Sequence, residues 1–185
     1  MSNEDTVLKE VYSSFKQRLS FDDFQSKINS LTIDKWNFVR ATLLYQQSLK
    51  CTECNPNIGM VLLCSCVDAL QLVGGENKSK ANFMSFYKKY CPKSLRVPPM
   101  EYYHNGKTPA VTAPFEKTLT FIYKRFRCLY VHEGIGHLDF LPEMPMEHTL
   151  FDKISAEDPD IYSIDMLKIV GWFEEITLES LFAML

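Results

Sequence analysis

The sequence is poor in glycine and lacks the short motifs that mark the common nucleotide-binding and hydrolytic enzymes. Its 185 residues include only seven glycines, and together with the many Leu, Phe, Tyr and Met residues this favours a mainly helical chain. The sequence has no P-loop, dinucleotide-binding fingerprint, Gly-x-Ser-x-Gly or His-Glu-x-x-His. These absences exclude P-loop, Rossmann-type, serine-hydrolase and zincin chemistry built on those motifs.

Long apolar runs are absent as well. No run approaches the ~20 residues that a membrane-spanning helix needs. The first five residues include two acids, Glu4 and Asp5, and the start of the chain lacks the basic and apolar regions of a secretory signal. We therefore expect a cytoplasmic protein with no membrane partner. A hydrophobic content of 46% and a charged content of 23% are ordinary for a globular chain, and the length predicts one domain over 1–185.

The six cysteines do not form a recognisable metal or disulfide pattern. Cys51-Thr-Glu-Cys54 has the spacing of a metal or redox pair. A zinc site would need two more ligands, and only the scattered Cys91, Cys128 and His104 are available. A thioredoxin-like site would need a βαβ unit, which the sequence does not predict. We expect no metal and no cofactor.

Apolar periodicity predicts a series of helices separated by turns. The predicted helices span 4–19, a short segment within 21–33, then 34–49, 56 to 72 or 73, 79–91, a long helix from about 113 that closes in the segment 124–134, and 164–185. These predict an all-α fold, an up-and-down helical bundle of four to five core helices over 34–185 with an N-terminal helical extension over 1–33. Long loops are predicted over 92–114 and 135–162, the second with a brief extended piece at His137–Leu141.

The helix after Pro56 is the most apolar in the chain, and Gly74-Gly75 is expected to end it. Its predicted packed stripe runs through Ile58, Val61, Ser65, Asp68 and Leu72. This stripe places a carboxylate on the face that should pack. A buried carboxylate is costly without a cation, so Asp68 needs an arginine; an exposed edge position is the alternative.

The loop over 92–114 is long enough to have a function of its own. Tyr102, Tyr103, His104 and Lys107 are its candidates for contact with a substrate. The alternative is a loop without a binding role. In the preceding helix, aromatic residues at helical spacing favour a core position over a base-stacking surface.

Charge is strongly segregated along the chain. Residues 78–127 have a net charge of +9, residues 133–185 a net charge of −10, and residues 1–77 a net charge of −2. The basic part indicates either a surface for a polyanion or one of two complementary faces that meet inside the fold or across a dimer.

The segment Lys124–Gly134 combines arginines with a histidine. Arginine binds phosphate through a permanent planar cation, and histidine transfers protons near neutral pH. Arg127 and His132 could therefore hold and cleave a phosphodiester without a metal. They converge only if the helix ends near Tyr130–Val131 and turns His132 back. The alternative is a helix C-terminus that attracts cations to its dipole and stops at Gly134.

An apolar helix with one inward acid, followed by a long helix that ends Arg-x4-His-x-Gly, resembles the HEPN superfamily, in its variant with long inter-helix loops. The matching parts are Ile58–Leu72 with Asp68 and Phe121–Gly134 with Arg127 and His132, and the resemblance covers about 35–183. It implies an up-and-down bundle, usually dimeric, in which the two Arg/His motifs face each other. Many members are metal-independent ribonucleases, and others bind RNA, nucleotides or proteins without catalysis.

The resemblance implies that Arg127 binds the scissile phosphate, His132 transfers a proton and Asp68 orients Arg127. Lys124 and Arg125 join the loop residues as candidate substrate contacts. One residue departs from the pattern: the position after the arginine is usually Asn, Asp or His in active members, and here it is Cys128. The expected function is therefore an endoribonuclease or, as the alternative, a non-catalytic module for RNA, nucleotide or a partner protein such as an antitoxin.

A homodimer is expected on two grounds. One Arg and one His make a sparse site, which two-fold symmetry would double. The final helix, 164–185, also has more apolar residues than one bundle face covers.

Overall fold

The computed structural model describes residues 3–72, 79–106, 109–133, 149–152 and 158–185. They form a mainly α-helical bundle with a small antiparallel sheet, which confirms the predicted fold class. The α-helices are α1 Asn3–Tyr12, α2 Phe21–Asn29, α3 Lys35–Thr52, α4 Pro56–Leu70, α5 Ser79–Tyr90, α6 Phe115–Ile122 and α7 Met166–Met184. A π-helix, Tyr123–Glu133, continues α6, and the strands are β1 Met100–Tyr103, β2 Val111–Thr112, β3 Thr149–Asp152 and β4 Ile161–Asp165. Short 3₁₀-helices cover Lys93–Leu95 and His104–Gly106.

Capping side chains fix the starts of the two central helices. An Asp34 carboxylate oxygen accepts a hydrogen bond from the Trp36 backbone N–H at 2.7 Å, which starts α3 as predicted. The Asn55 side-chain oxygen accepts from the N–H groups of Asn57 and Ile58, and Pro56 occupies the first turn of α4.

The first helix is shorter than predicted. It ends at Tyr12, and residues 13–19 form a series of tight turns. Two consecutive serines follow Tyr12 and favour turns over a helix interior, and the Tyr12 hydroxyl donates to the Leu19 carbonyl at 2.8 Å across the turns. Phe15, which lies within these turns, is nevertheless buried.

The packed stripe predicted for α4 is wrong. The buried side of this helix runs through Met60, Leu63, Cys64, Val67 and Leu70, whereas the predicted stripe lies on the half-exposed side. Because α4 is apolar on almost every face, sequence periodicity does not identify which face packs. The helix also ends at Leu70, followed by Gln71 in a left-handed conformation, and Gly74-Gly75 lies outside the described residues.

The two predicted loops supply the strands of one sheet, which the sequence did not predict. The strand order is β2-β1-β4-β3 and every pairing is antiparallel. Tyr102 of β1 lies opposite Tyr162 of β4, and Met100 opposite Ile164. Strands of two to five residues carry too little alternation to be read from sequence, and pairing between distant segments is set by the tertiary fold. The predicted extended piece at His137–Leu141 lies outside the described residues.

The final helix α7 has several intramolecular neighbours. It packs against α3, α4, α5 and β4, and the Tyr87 hydroxyl of α5 forms a hydrogen bond of 2.9 Å with Thr177. Near the end of the chain, Phe182 contacts Phe15. The apolar residues of α7 are therefore covered largely by this same chain, and the dimer stays a prediction.

One hydrophobic core joins the elements. The aromatic residues of α5 belong to it, because Phe83, Phe86 and Tyr87 are buried. Residues of α1 and α2 contribute to the same core, so the N-terminal extension packs directly onto the bundle. In the part of the chain that the structure describes, no helix is long and apolar enough to span a membrane.

Candidate functional site

An ion pair joins α4 to the π-helix. The Nε atom of Arg127 donates to Oδ2 of Asp68 at 2.6 Å. The side chain of Arg127 is 19% exposed and that of Asp68 is 25% exposed, so the pair is partly shielded from water but open on one side. Asp68 lies in the last turn of α4, on the edge of its packed face. Asp68 thus lies at a half-buried edge rather than on a packed stripe, and its partner there is Arg127.

Among the described residues, the guanidinium of Arg127 has a hydrogen bond through its Nε atom, and its Nη1 atom has none. Burial by itself lowers the pKa of Arg127, but the hydrogen bond and the charge of Asp68 outweigh it, so the pKa is raised above its ordinary value. Arg127 is therefore a fixed cation. Its Nη1 atom is buried and has no hydrogen-bond acceptor among the described residues. Because Nη1 is buried, an anion would complete its hydrogen bonding only after neighbouring side chains moved aside.

The π-helix changes how the two residues of the Arg-x4-His motif are placed around the helix axis. A π-helix bonds residue i to residue i+5, so residues five apart lie one turn apart along it. Arg127 and His132 have this separation, and both belong to Tyr123–Glu133. The backbone of His132 therefore follows that of Arg127 by one turn without the early helix end that the sequence seemed to require. The side chain of His132 lies outside what the structure describes.

The same change of helix type separates Arg125 from His132. In an α-helix residues seven apart share a face, which would put Arg125 and His132 on the same side. In the π-helix the residue one turn after Arg125 is Tyr130 instead. The side chains of Lys124 and Arg125 are half-buried on this helix.

Thiols lie next to the ion pair. Cys128 is half-buried and packs against the hydrophobic core. Cys64, one α-helical turn before Asp68, is fully buried, and this burial raises the pKa of its thiol well above the ordinary value. Cys128 thus occupies the place of the polar residue expected after the motif arginine, and its surroundings are largely apolar.

A second polar cluster forms around Asp160, on different elements. Asp160 is buried, and its carboxylate accepts from Lys117 Nζ at 2.6 Å and contacts His104 Nδ1 at 2.8 Å. The Tyr102 ring lies 4.9 Å from Lys117 Nζ and stacks on Tyr162. Two of the four predicted loop residues, Tyr102 and His104, therefore belong to this cluster. Among the described residues, neither is a hydrogen-bond partner of Arg127.

Sequence reasoning missed Lys117 and Asp160. Lys117 lies in the first turn of α6 and Asp160 immediately before β4, within a stretch of many acids. Nothing in either local pattern distinguishes them from solvated charges. Of the remaining predicted loop contacts, Tyr103 is half-buried at the end of β1, and Lys107 lies outside the described residues.

Some cations of the basic middle segment pair with groups of this same chain. Lys88 pairs with Glu116, Lys117 with Asp160, and Arg127 with Asp68. Arg96 donates to the Lys88 and Cys91 carbonyls at the end of α5. The Lys117–Asp160 pair joins the basic segment to the acidic one, as the alternative of complementary faces inside the fold requires.

The remaining cysteines offer little to a metal. Cys51 is half-buried and Cys54 exposed, and both are free thiols. Across the described ranges, no three His, Cys, Asp or Glu side chains are grouped so that they could hold a metal ion.

Comparison with models of known protein families, with curated proteins and with solved structures found no match to this chain. The site is therefore interpreted from its own geometry and from the sequence resemblance given above.

Proposed function

We propose that this protein is a HEPN-like RNA-processing protein, a metal-independent endoribonuclease that uses Arg127 and His132. The observation that carries the proposal is the Arg127 guanidinium. Asp68 holds it through Nε at 2.6 Å, and Nη1 is buried with no acceptor among the described residues. Arg127 is thus a fixed cation with a donor that is not used, and His132 follows it by one π-turn. A cation and a histidine are the groups that a metal-free site needs to bind and cleave a phosphodiester.

In this mechanism the RNA supplies its own nucleophile. The 2′-oxygen attacks the adjacent phosphorus, and the bond between that phosphorus and the 5′-oxygen breaks. The products are a 2′,3′-cyclic phosphate and a free 5′-hydroxyl. His132 removes the 2′-proton or donates a proton to the leaving 5′-oxygen. Arg127 binds the non-bridging oxygens, where negative charge grows in the transition state, and Asp68 keeps its guanidinium oriented.

The test is cleavage of RNA by the purified protein in EDTA. We expect Arg127→Ala and His132→Ala each to lower the rate by at least about 100-fold, the usual scale for a lost proton-transfer or charge-stabilising group. Arg40→Ala is the matched control, because Arg40 is an exposed arginine of α3. Cleavage that survives His132→Ala, or that disappears with metal removal, contradicts this mechanism.

A non-catalytic function is the second candidate, and Cys128 favours it. The thiol packs against the core at the position where active members of the family carry a polar residue. In that case the same arginine binds RNA, a nucleotide or a partner protein such as an antitoxin without turnover. Binding of RNA should weaken with salt and with Arg127→Ala. Cys128→Asn distinguishes the two functions: it should create or raise cleavage if only the polar residue is missing, and robust cleavage by the unaltered protein rejects the non-catalytic function.

We also propose that the protein acts as a homodimer with the Arg127/His132 motif near the two-fold axis. The support now comes from the outer face of α4, beside Asp68, where apolar side chains are exposed or half-exposed. Ile58 is 38% exposed, and Val61, Leu62 and Ala69 are half-buried. A second copy that covered this face would bring two motifs together and double their cations and proton carriers.

Light scattering at micromolar concentration tests the dimer. Ile58→Glu should produce monomers, because it places a charge in the proposed interface. Val97→Glu is the control, since Val97 is 71% exposed on another part of the chain and should leave the dimer intact. A monomeric unaltered protein contradicts the dimer and the shared site together.

A further inference from the structure

The connection between α3 and α4 holds two cysteines in a tight turn. The backbone N–H of Cys54 donates to the Cys51 carbonyl at 3.0 Å, and Asn55 donates to the same carbonyl. In a turn closed by this bond the two Cα atoms lie within about 7 Å of each other. A disulfide spans Cα separations of about 4.4–6.8 Å, so the backbone already meets the main requirement for a bond between Cys51 and Cys54.

Elements on both sides keep this turn in place. Before it, the Thr52 hydroxyl donates to the Ser48 carbonyl at 2.8 Å within α3. After it, the Asn55 cap and Pro56 fix the start of α4. Side chains three apart on a helix have Cβ atoms about 5–6 Å apart, and a disulfide needs about 3.5–4.5 Å. If the two cysteines keep this helix-like spacing, an approach of about 1–2 Å would close the bond.

Accessibility separates this pair from the other cysteines. Cys54 is exposed and Cys51 is half-buried, with Gln47 Nε2 donating to its sulfur. Cys64, Cys66 and Cys91 are buried, and burial raises the pKa of each of these thiols, which opposes formation of the reactive thiolate. Cys128 is half-buried and lies in the π-helix, on a different element.

We propose that Cys51 and Cys54 are a site of reversible disulfide formation, with a low-molecular-weight disulfide of the glutathione type as the oxidant. The exposed Cys54 thiolate attacks one sulfur of that disulfide and releases the first thiol, which takes up a proton. The Cys51 thiolate then attacks Cys54 sulfur in the mixed disulfide and releases the second thiol. The two cysteines lose two electrons and two protons, and one disulfide of the oxidant becomes two thiols.

This site is independent of the RNA chemistry proposed above. Neither cysteine belongs to the Asp68–Arg127 pair, and the readout is the state of the thiols. A metal pair is the competing interpretation of the same spacing, but among the described residues no three His, Cys, Asp or Glu side chains are grouped so that they could hold a metal ion.

The experiment equilibrates the full chain with buffers of rising oxidised-to-reduced glutathione ratio, quenches with acid, alkylates the free thiols and measures intact mass and peptides. We expect the protein to lose two hydrogens and two reactive thiols together, in a peptide that links Cys51 to Cys54, and to recover both with excess reduced glutathione. Cys51→Ser should instead leave Cys54 carrying one glutathione, because the resolving thiol is gone. The buried Cys64, Cys66 and Cys91 serve as internal controls and should alkylate only after denaturation.

Three results would overturn the inference. The first is a wild-type protein in which Cys54 accumulates glutathione with no bond to Cys51. The second is a disulfide between two chains, or between either residue and Cys128, in place of the predicted one. The third is stoichiometric zinc, found by elemental analysis, that protects both thiols from the oxidant.

Discussion

The Nε atom of Arg127 lies 2.6 Å from Oδ2 of Asp68 and joins the last turn of α4 to the π-helix. Asp68→Ala should lower the free energy of unfolding by about 1–3 kcal/mol, since it removes a charged hydrogen bond and leaves a partly buried cation without its partner. Asp68→Asn should cost less, because the amide oxygen can still accept. Chemical denaturation of the two variants measures both effects.

Glu53→Gln is the control for this pair, since Glu53 is exposed at the end of α3. We expect its effect to stay within about 0.5 kcal/mol. If Asp68→Ala is as mild as this control, the ion pair does not stabilise the contact between α4 and the π-helix.

Gly59 permits the close approach of α3 and α4. A Cβ atom at this position would lie 2.2 Å from Thr52 Oγ1 and 3.2 Å from the Ser48 carbonyl oxygen. Gly59→Ala should therefore destabilise the protein by about 1–3 kcal/mol despite the better helix propensity of alanine. Thermal unfolding measures the change.

Gly171 is the matched control, because nothing lies within 4 Å of the Cβ position on this exposed residue of α7. Gly171→Ala should stabilise the protein by about 0.5–1 kcal/mol. Equal effects of the two substitutions would contradict the steric explanation.

Glu174 is half-buried on α7, and its Oε1 atom is buried with no hydrogen-bond partner among the described residues. Burial raises the pKa of Glu174, and a hydrogen bond with Thr52 lowers it by less. The net pKa is therefore above the ordinary value. A carboxyl group whose pKa is raised by folding favours the folded state most when it is protonated. Its contribution to stability is thus lost as pH rises from the unfolded pKa through the folded pKa.

We therefore expect Glu174→Gln to stabilise the protein near pH 7 by on the order of 1 kcal/mol, and to have a smaller effect below about pH 4. Glu175→Gln, at the exposed neighbouring position, is the control and should change little. Urea denaturation at both pH values gives the comparison. A destabilising effect of Glu174→Gln at pH 7 would show that the carboxylate has a partner that it needs.

Asp160 links α6 to the sheet, and it stabilises this junction at high pH, whereas Glu174 favours the folded state most at low pH. The hydrogen bond from Lys117 lowers the pKa of Asp160, burial raises it, and the hydrogen bond with His104 lowers it again. The net result is a pKa below the ordinary value. Its stabilisation is present above the unfolded pKa of about 3.9 and is lost as pH falls through the lower folded pKa. Asp160→Asn should thus destabilise the protein clearly at pH 7, and the difference from wild type should shrink in acid.

Glu116→Gln is the control for Asp160, since it removes an ion pair with Lys88 in which both side chains are largely exposed. A surface pair of this kind contributes about 0–1 kcal/mol. If Asp160→Asn and Glu116→Gln have the same effect at pH 7, the buried carboxylate has no special structural role.

The sequence alone determined the helical character of this protein and where its central helices begin. Asp34 and Asn55-Pro56 act through bonds to residues two or three positions away, so their effect is local and can be read from the chain. It also indicated that a buried Asp68 would need a cation, because the cost of burying an unpaired carboxylate does not depend on the fold, but it left an edge position of Asp68 open.

Only the tertiary structure decided which face of α4 packs and which strands pair, whereas the sequence resemblance had already put Arg127 beside Asp68. An all-round apolar helix gives no preferred face, and short strands acquire their partners from distant parts of the chain. Asp160 became the centre of a cluster because β4 brings it to His104 and Lys117. The π-helix is the clearest case: a shift from i+4 to i+5 bonding, where this segment contacts α4, gives Arg127 and His132 a one-turn relationship that α-helical spacing does not.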